Sequence, residues 1–244
     1  MVYADGGALY WVTPGGQQIY IPTLGLNGIA RPSLSPDATK AVVQASESSG
    51  SDLNIYVVDL FTGRSQRISF LPVNEESPEW FPNANRIAYM SFSPTAGIQT
   101  HIYDVDAQRE VLVINDGYIH AAISKDSRRL LNTNRMRIYD TTTGALVSDL
   151  RDKVMAAIAG LGYQPDTRYP GQANLGTFPL DADFSPDGQS IVFDGAVQGS
   201  GQYGVVIFRM TIAGDNVTPL TDLIAVDPAR SNNHNYSQLN PAWR

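Results

Sequence analysis

The sequence predicts an all-β fold, a five-bladed β-propeller of four-stranded antiparallel blades. The first observation is a template in which a branched or leucine residue precedes an aromatic residue. Its five copies are Leu9-Tyr10, Ile55-Tyr56, Ile102-Tyr103, Ile138-Tyr139 and Ile207-Phe208. The second observation is a turn signature that precedes four of these copies, at Ser35-Pro36-Asp37, Phe81-Pro82-Asn83, Ser124-Lys125-Asp126 and Ser185-Pro186-Asp187-Gly188. Because so short a unit cannot bury its own apolar face, the copies must stack.

The spacing of the aromatic residue is the third observation. The aromatics lie at positions 10, 56, 103, 139 and 208, so the first two intervals are 46 and 47 residues. The path from Phe208 through the C-terminus and on to Tyr10 is again 46 residues long. We therefore expect N-terminal strands and a C-terminal strand to share one blade and to close the ring, which removes exposed sheet edges.

The unit that begins at Arg31 is the clearest blade. Short strands are predicted over 31–34, 40–45, 54–59 and 64–69, because each is an apolar or alternating segment bounded by turn residues. The same pattern divides the whole chain, as a single domain, into five blades over 31–70, 75–115, 118–150, 179–222, and 236–244 joined with 1–28.

One interval is longer than the others, with 69 residues between Tyr139 and Phe208. The excess is an insertion over 151–178, which we interpret as a lid. Within it, the sequence predicts a short helix over 153–159, capped by Asp152 and ended by Gly160.

Composition excludes several classes of function. The net charge of −7 and the absence of a basic run argue against binding to nucleic acid. The chain has no cysteine, which excludes disulfides and thiolate chemistry. No apolar run reaches the length of about 20 residues that spans a membrane, so we expect no membrane insertion. We also expect a monomer.

Several motifs of the repeats, most of them in the fourth blade, resemble those of a known family. The Ser185–Gly188 turn, the Ile191-Val192-Phe193 strand, the Ile-Tyr template and Pro219-Leu220-Thr221 resemble WD40-like PD40 repeats. Their closest setting is the β-propeller domain of TolB-like periplasmic proteins. That family looks like a six-bladed propeller preceded by an α/β domain, whereas this sequence predicts five blades and no such domain. The resemblance implies a periplasmic or secreted protein whose leader has been removed, with the cytoplasm as the alternative.

Loop lengths predict which face of the propeller binds a ligand. Long segments, over 46–53, 91–100, 151–178, 195–203 and 222–237, all join strand two to strand three or one blade to the next. These connections emerge on one face, and long loops on one face of a rigid scaffold are typical of a binding site. The aromatic and polar side chains predicted on this face are Tyr163, Tyr169, His234 and Tyr236.

The inner strands predict a polar channel mouth near the same face. Equivalent positions of the five inner strands hold Arg31, Ser77, His120, Asp181 and Asn240, and one step further in lie Glu79 and Asp183. This is the concave polar site that the sequence offers for a ligand. No cofactor is predicted; if the channel binds a metal, the oxygen ligands Glu79, Asp181 and Asp183 favour Ca²⁺.

Two classes of function follow from these residues. The first is a non-catalytic binding module that recognises a protein or peptide through the long-loop face and the channel mouth, as in TolB-like proteins. The alternative is a carbohydrate-active enzyme or a lectin that uses the channel carboxylates Glu79, Asp181 and Asp183. No GxSxG or zinc-protease motif occurs, which favours the binding module.

Overall fold

A computed structural model describes residues 1–23, 25–47, 52–117, 121–165, 181–199 and 201–225. Five antiparallel sheets run along the chain in sequence order, which confirms the all-β prediction and matches five propeller blades. The chain divides into two units. Unit 1 contains the first three sheets and unit 2 the last two.

The first sheet of unit 1 has three strands, β1 (Val2–Asp5), β2 (Ala8–Val12) and β3 (Gln18–Ile21). Period-two alternation places Leu9 and Ile21 in the core and three tyrosines on the opposite face. The C-terminal strand predicted to complete this blade, over 240–243, lies outside the described residues.

The other two sheets of unit 1 each have four strands in sequence order. One consists of β4 (Asn27–Leu34), β5 (Lys40–Ser46), β6 (Asn54–Asp59) and β7 (Ser65–Arg67). The next consists of β8 (Glu75–Trp80), β9 (Arg86–Ser93), β10 (Gly97–Asp104) and β11 (Arg109–Ile114). Consecutive sheets pack face to face through apolar clusters, as blades of a propeller do.

Unit 2 begins with another four-stranded sheet and ends with a larger one. The first contains β12 (Ala121–Ile123), β13 (Arg129–Asn132), β14 (Arg137–Asp140) and β15 (Leu146–Asp149). The helix α1 (Arg151–Gly160) follows. The six strands of the last sheet are β16 (Gln164–Pro165), β17 (Ala182–Phe184), β18 (Ser190–Gly199), β19 (Gln202–Thr211), β20 (Thr218–Pro219) and β21 (Ile224–Ala225).

Three of the predicted turns share one set of hydrogen bonds. In the turn at Ser35, the hydroxyl donates to Asp37 Oδ1 at 2.7 Å and accepts the Lys40 amide at 2.9 Å, while Asp37 Oδ1 accepts the Thr39 amide at 3.0 Å. The turns at Ser124 and Ser185 repeat this arrangement. The aspartate of the repeat is therefore a structural residue that fixes the turn between strands one and two.

Two segments predicted as long loops are instead strands. Positions 91–100 belong mostly to β9 and β10, and positions 195–203 mostly to β18 and β19. The polar and glycine residues that indicated loops lie within long hairpins whose ladders continue almost to the turn. The prediction of loops was wrong there because backbone pairing in a hairpin does not require apolar side chains.

The helix differs from its prediction in its cap and in its packing. Its N-cap is Leu150 and has no side-chain hydrogen bond, whereas Asp152 lies in the first turn. Val154 and Ile158 are buried in the core cluster of unit 2, between side chains of both of its sheets. In the described part of the chain, no helix is both long and apolar enough to cross a membrane.

Candidate functional site

In unit 1, the predicted channel residues lie on the adjacent inner strands β4 and β8. Arg31 and Ser77 both have a positive φ, of 49° and 54°, at positions where the ladder of their strand shifts register. The shift frees the Ser77 amide, which donates to Gln44 Oε1 of the neighbouring sheet at 2.9 Å. Glu79 is half-buried one step further along β8. Equivalent positions of two blades thus share one irregular backbone conformation, as the alignment of the repeats predicts.

In unit 2, Asp181 directly precedes β17 and Asp183 lies within it. Both residues are half-buried. The Asp181 amide donates to Oδ1 of Asp194 at 2.7 Å, and the Asp194 amide donates back to the Asp181 carbonyl at 3.0 Å. Burial raises the pKa of Asp194 to about 7; the hydrogen bond from the Asp181 amide opposes this rise and the nearby Asp181 carboxylate adds to it. Gln44 and Asp194 each accept an inner-strand amide, Gln44 from the neighbouring sheet and Asp194 from its own sheet.

Tyr163 packs against the core instead of projecting from a loop. Its ring meets Phe208 edge-on at 5.7 Å, and a Cβ at Gly199 would lie 2.9 Å from its Cδ1. The other predicted ligand-binding residues, His120, Tyr169, His234, Tyr236 and Asn240, lie outside the described residues.

The possible metal ligands are divided between the two units. Glu79 belongs to unit 1, whereas Asp181 and Asp183 belong to unit 2. Among the described residues, no group of three or more histidine, aspartate or glutamate side chains could hold a metal ion. The Ca²⁺ prediction thus receives no support from this part of the chain.

Sequence reasoning missed three exposed apolar side chains in unit 1, those of Phe70, Leu71 and Phe92, which we call the apolar surface. The exposed fractions of these residues are 74%, 39% and 55%. The Leu71 amide donates to Glu75 Oε1 and the Phe92 amide to the Asn74 carbonyl, so both flank the connection between β7 and β8. The surface thus lies on the face predicted to bind, where blade-to-blade connections emerge.

Sequence reasoning also missed a polar chain of four side chains, with one residue on each strand of the β8–β11 sheet. Ser91 Oγ lies 2.8 Å from Nε2 of His101, and Nδ1 of His101 lies 2.5 Å from Oε2 of Glu110. Glu75 is the cross-strand partner of Ser91 in the β8–β9 ladder. Because 91–100 was predicted to be a loop, the register that aligns these residues could not be inferred.

The order serine, histidine, glutamate is that of a hydrolase triad, but Ser91, His101 and Glu110 cannot act as a triad in this structure. The exposed fraction of Ser91 is 0%, so a substrate cannot reach its hydroxyl. The Tyr89 ring stacks on His101 at 5.0 Å and closes the site from one side. Glu75, Ser91 and His101 are buried within the sheet, whereas the Glu110 side chain at its edge is 41% exposed.

The chain is similar in structure to several solved β-propellers. TolB from Acinetobacter baumannii is 19% identical with a TM-score of 0.58, over 90% of this chain and 51% of that protein. A protein described as a TolB of Agrobacterium tumefaciens is 17% identical with a TM-score of 0.60, over 92% of this chain and 77% of that protein. The β-propeller domain of the Trilobed protease from Pyrococcus furiosus is 11% identical with a TM-score of 0.51, over 80% of this chain and 57% of that protein.

This chain spans about half the length of the Acinetobacter TolB. No family model and no curated protein sequence matches it. At sequence identities below 20%, the structural similarity supports a shared fold but does not transfer the role of any residue. The chain therefore has the β-propeller fold of the TolB proteins.

Proposed function

We propose that the chain is a non-catalytic binding module that recognises a protein or peptide partner through the long-loop face of the propeller. The observation that carries this proposal is the apolar surface of Phe70, Leu71 and Phe92 on that face. Exposed large apolar side chains near the same ends of strands cost solubility, and proteins retain them chiefly where a partner covers them.

The chemistry of the surface indicates the partner. Two phenylalanine rings and a leucine offer apolar area and few hydrogen bonds, so the partner supplies apolar or aromatic anchor side chains. The Arg67 guanidinium lies 5.2 Å from the centroid of the Phe70 ring. Because Arg67 also hydrogen-bonds Ser69 and Asn54, it holds this ring in place before binding. A pre-ordered ring loses little entropy when a partner binds.

The channel mouth is the second part of the proposed site. In unit 1, Arg31, Ser77 and Glu79 would contribute polar contacts that select among apolar partners. In unit 2, taken by itself, Asp181 and Asp183 are the proposed ligand-binding residues. A periplasmic location, as implied by the resemblance to TolB-like proteins, belongs to the same proposal.

The carbohydrate-active alternative is less well supported. Glycoside hydrolysis needs one carboxyl group whose pKa is raised and that still contacts the sugar. Among the described residues, Asp194 has a raised pKa and lies close to a second carboxylate, that of Asp181. However, Asp194 is only 1% exposed. A sugar ring in a cleft could not reach it.

The proposal is tested by selecting random twelve-residue peptides on the immobilised full chain and measuring the affinity of the selected peptides by calorimetry. We expect peptides with aromatic or leucine anchors, and a loss of affinity of about tenfold or more in a Phe70→Ser, Phe92→Ser double variant. Phe61→Ser is the matched control, since Phe61 is 69% exposed but lies in the turn at the other end of β6. Equal affinity for the double variant and the wild type would refute the proposal.

A further inference from the structure

Arg67, the last residue of β7, lies beside the apolar surface with its side chain held in one orientation. Its Nε donates to the Ser69 carbonyl at 2.5 Å, and its Nη2 donates to Oδ1 of Asn54. The central carbon of the guanidinium lies 5.2 Å from the centroid of the Phe70 ring. Two hydrogen bonds and a cation–π contact therefore fix a positive charge next to an exposed aromatic side chain.

The two residues that hold Arg67 are themselves fixed. Asn54 and Ser69 are buried, with exposed fractions of 5% and 1%. The Asn54 side chain donates from Nδ2 to the Asp52 carbonyl at 2.9 Å, which leaves its Oδ1 as the acceptor for Arg67. The Ser69 hydroxyl accepts the Ile55 amide at 2.8 Å. The guanidinium is thus anchored to buried groups, so it loses little side-chain entropy when it binds a ligand.

One nitrogen of the Arg67 guanidinium is left for a ligand. Nε and Nη2 serve Ser69 and Asn54, whereas Nη1 makes no hydrogen bond within the described part of the chain. Arg67 is only partly buried, and Nη1 is not among the buried polar atoms that lack a partner, so this nitrogen is accessible to solvent. The N–H groups of a guanidinium match the oxygen atoms of a carboxylate. Arg67 can therefore bind an anion and keep its contacts with the protein.

The charge of Arg67 is not neutralised by an ion pair. Among the described residues, no carboxylate lies within salt-bridge distance of its guanidinium. Burial raises the pKa of the Glu75 carboxyl group, and the charge of Arg67 is one of the smaller effects that lower it, so Glu75 senses Arg67 without pairing with it. Tyr56 lies opposite Arg67 in the β6–β7 ladder, and its hydroxyl donates to Glu47 at 3.1 Å. The positive charge of Arg67 thus remains available to a partner.

We propose that Arg67 determines the specificity of the apolar surface by binding a carboxylate of the partner. The partner is a peptide segment in which an aromatic or leucine anchor lies within a few residues of an aspartate or glutamate. The anchor packs against the Phe70 ring, and the carboxylate accepts hydrogen bonds from Nη1 of Arg67. This role of Arg67 rests on the proposed binding function and adds a charge requirement to it.

The overall charge of the chain favours a single carboxylate over a polyanion. The net charge of −7 opposes the approach of a nucleic acid strand, which carries negative charge along its whole length. An anchored guanidinium still attracts one carboxylate, because the two groups are in direct contact whereas charges beyond about 10 Å are largely screened. An acidic residue next to an apolar anchor therefore fits both the Phe70 ring and the Arg67 charge.

The peptides selected on the immobilised full chain provide the first test. We expect aspartate or glutamate to be enriched next to the aromatic or leucine anchor. Replacing this acidic residue by its amide should weaken binding to the wild type by about fivefold or more, as expected when a charge-assisted hydrogen bond is lost. Peptides that need Phe70 and Phe92 but bind equally well as acid and amide would contradict the role of Arg67 and leave the binding function intact.

A double-mutant cycle then identifies Arg67 as the residue that contacts the carboxylate. In Arg67→Gln, the acid and amide peptides should bind with affinities within about twofold of each other. Arg64→Gln is the matched control, since Arg64 is exposed in the turn between β6 and β7, at the other end of the strand, and should leave the preference for the acid peptide unchanged. An undiminished preference in Arg67→Gln would overturn the proposal.

The remaining outcomes also decide the question. If Arg67→Gln does not fold, Arg67→Lys takes its place, because lysine keeps the charge but lacks the planar fork of the guanidinium. Arg67→Lys should then weaken binding of the acid peptide more than binding of the amide peptide, and equal weakening would exclude Arg67 as the contact. If the Phe70→Ser, Phe92→Ser double variant binds the selected peptides as tightly as the wild type, the binding function fails, and the role of Arg67 fails with it.

Discussion

Single residues in this protein carry effects that the repeat alone does not reveal. Asp194 occupies the second-strand position that Gln44 occupies in another blade, and both accept an inner-strand amide. An uncharged amide does this at every pH, whereas a buried carboxylate must be protonated to avoid a desolvation cost. The position is thus structural in both blades but sensitive to pH only in unit 2.

Asp194→Asn should stabilise the protein at neutral pH. The folded-state pKa of Asp194 is raised from 3.8 to about 7, so the wild type has its full stability below about pH 4. The wild type loses stability as the pH rises to about 7, because only the unfolded state releases the proton freely. Asp194→Asn has no carboxyl group at this position, so its free energy of unfolding should not fall in this way. The expected difference is on the order of 2–4 kcal/mol. Urea unfolding at pH 4.5 and pH 8 measures it.

The control for this variant is Asp215→Asn, a change at an exposed aspartate of the same unit. A stability gain in Asp194→Asn that does not grow between pH 4.5 and pH 8 would show that Asp194 is already ionised in the folded protein.

The repeated turn makes a second prediction at the residue scale. The residue after the turn aspartate has a positive φ in three blades, 57° at Ala38, 61° at Ser127 and 68° at Gly188. Only glycine adopts this conformation without strain. Ala38→Gly and Ser127→Gly should therefore each stabilise the fold by about 0.5–1 kcal/mol, and Gly188→Ala should destabilise it. Thermal unfolding of the three variants tests the signs, and destabilisation by both glycine substitutions would contradict the account.

At the scale of elements, the helix α1, which begins the insertion predicted to be a lid, contributes to the core of unit 2. Val154 and Ile158 are fully buried on one side, while Asp152 and Ala156 are exposed on the other. The sequence predicted the helix from its cap and stop residues, but two buried residues per ten give too weak a pattern to predict docking.

Ile158→Ala should therefore destabilise the protein by about 2–4 kcal/mol, as expected when a fully buried side chain is removed. Ala156→Ser, on the exposed side of the same helix, should cost less than about 0.5 kcal/mol. Chemical denaturation of both variants compares them. Equal small losses would mean that the helix separates from the sheets without unfolding unit 2.

The strands show what could and could not be read from the sequence. The β5, β6 and α1 segments were placed within about two residues, because turn residues bound them on both sides. The sequence predicts shorter strands for the hairpins β9–β10 and β18–β19 than the structure shows. The ends of these strands contain polar and glycine residues and lack the apolar alternation that predicts a strand. Ser91 of the polar chain and Phe92 of the apolar surface lie at the end of the β9–β10 hairpin, which is why these two members were not predicted.

At the scale of the whole molecule, five antiparallel sheets provide the scaffold for the proposed binding surface. The sheets and their turns hold Phe70, Leu71 and Phe92 in place, and the net charge of −7 keeps a protein with exposed apolar groups soluble. The similarity to TolB propellers supports the scaffold, and the exposed apolar side chains support the binding function.

Hydrogen–deuterium exchange of the full chain, with and without a selected peptide, tests this central claim most directly. We predict slower exchange in the segments 70–75 and 92–98, which carry and flank the apolar surface, and unchanged exchange in the turn 60–64 at the opposite end of the strands. Protection of 60–64 with no change in 70–75 and 92–98 would contradict it.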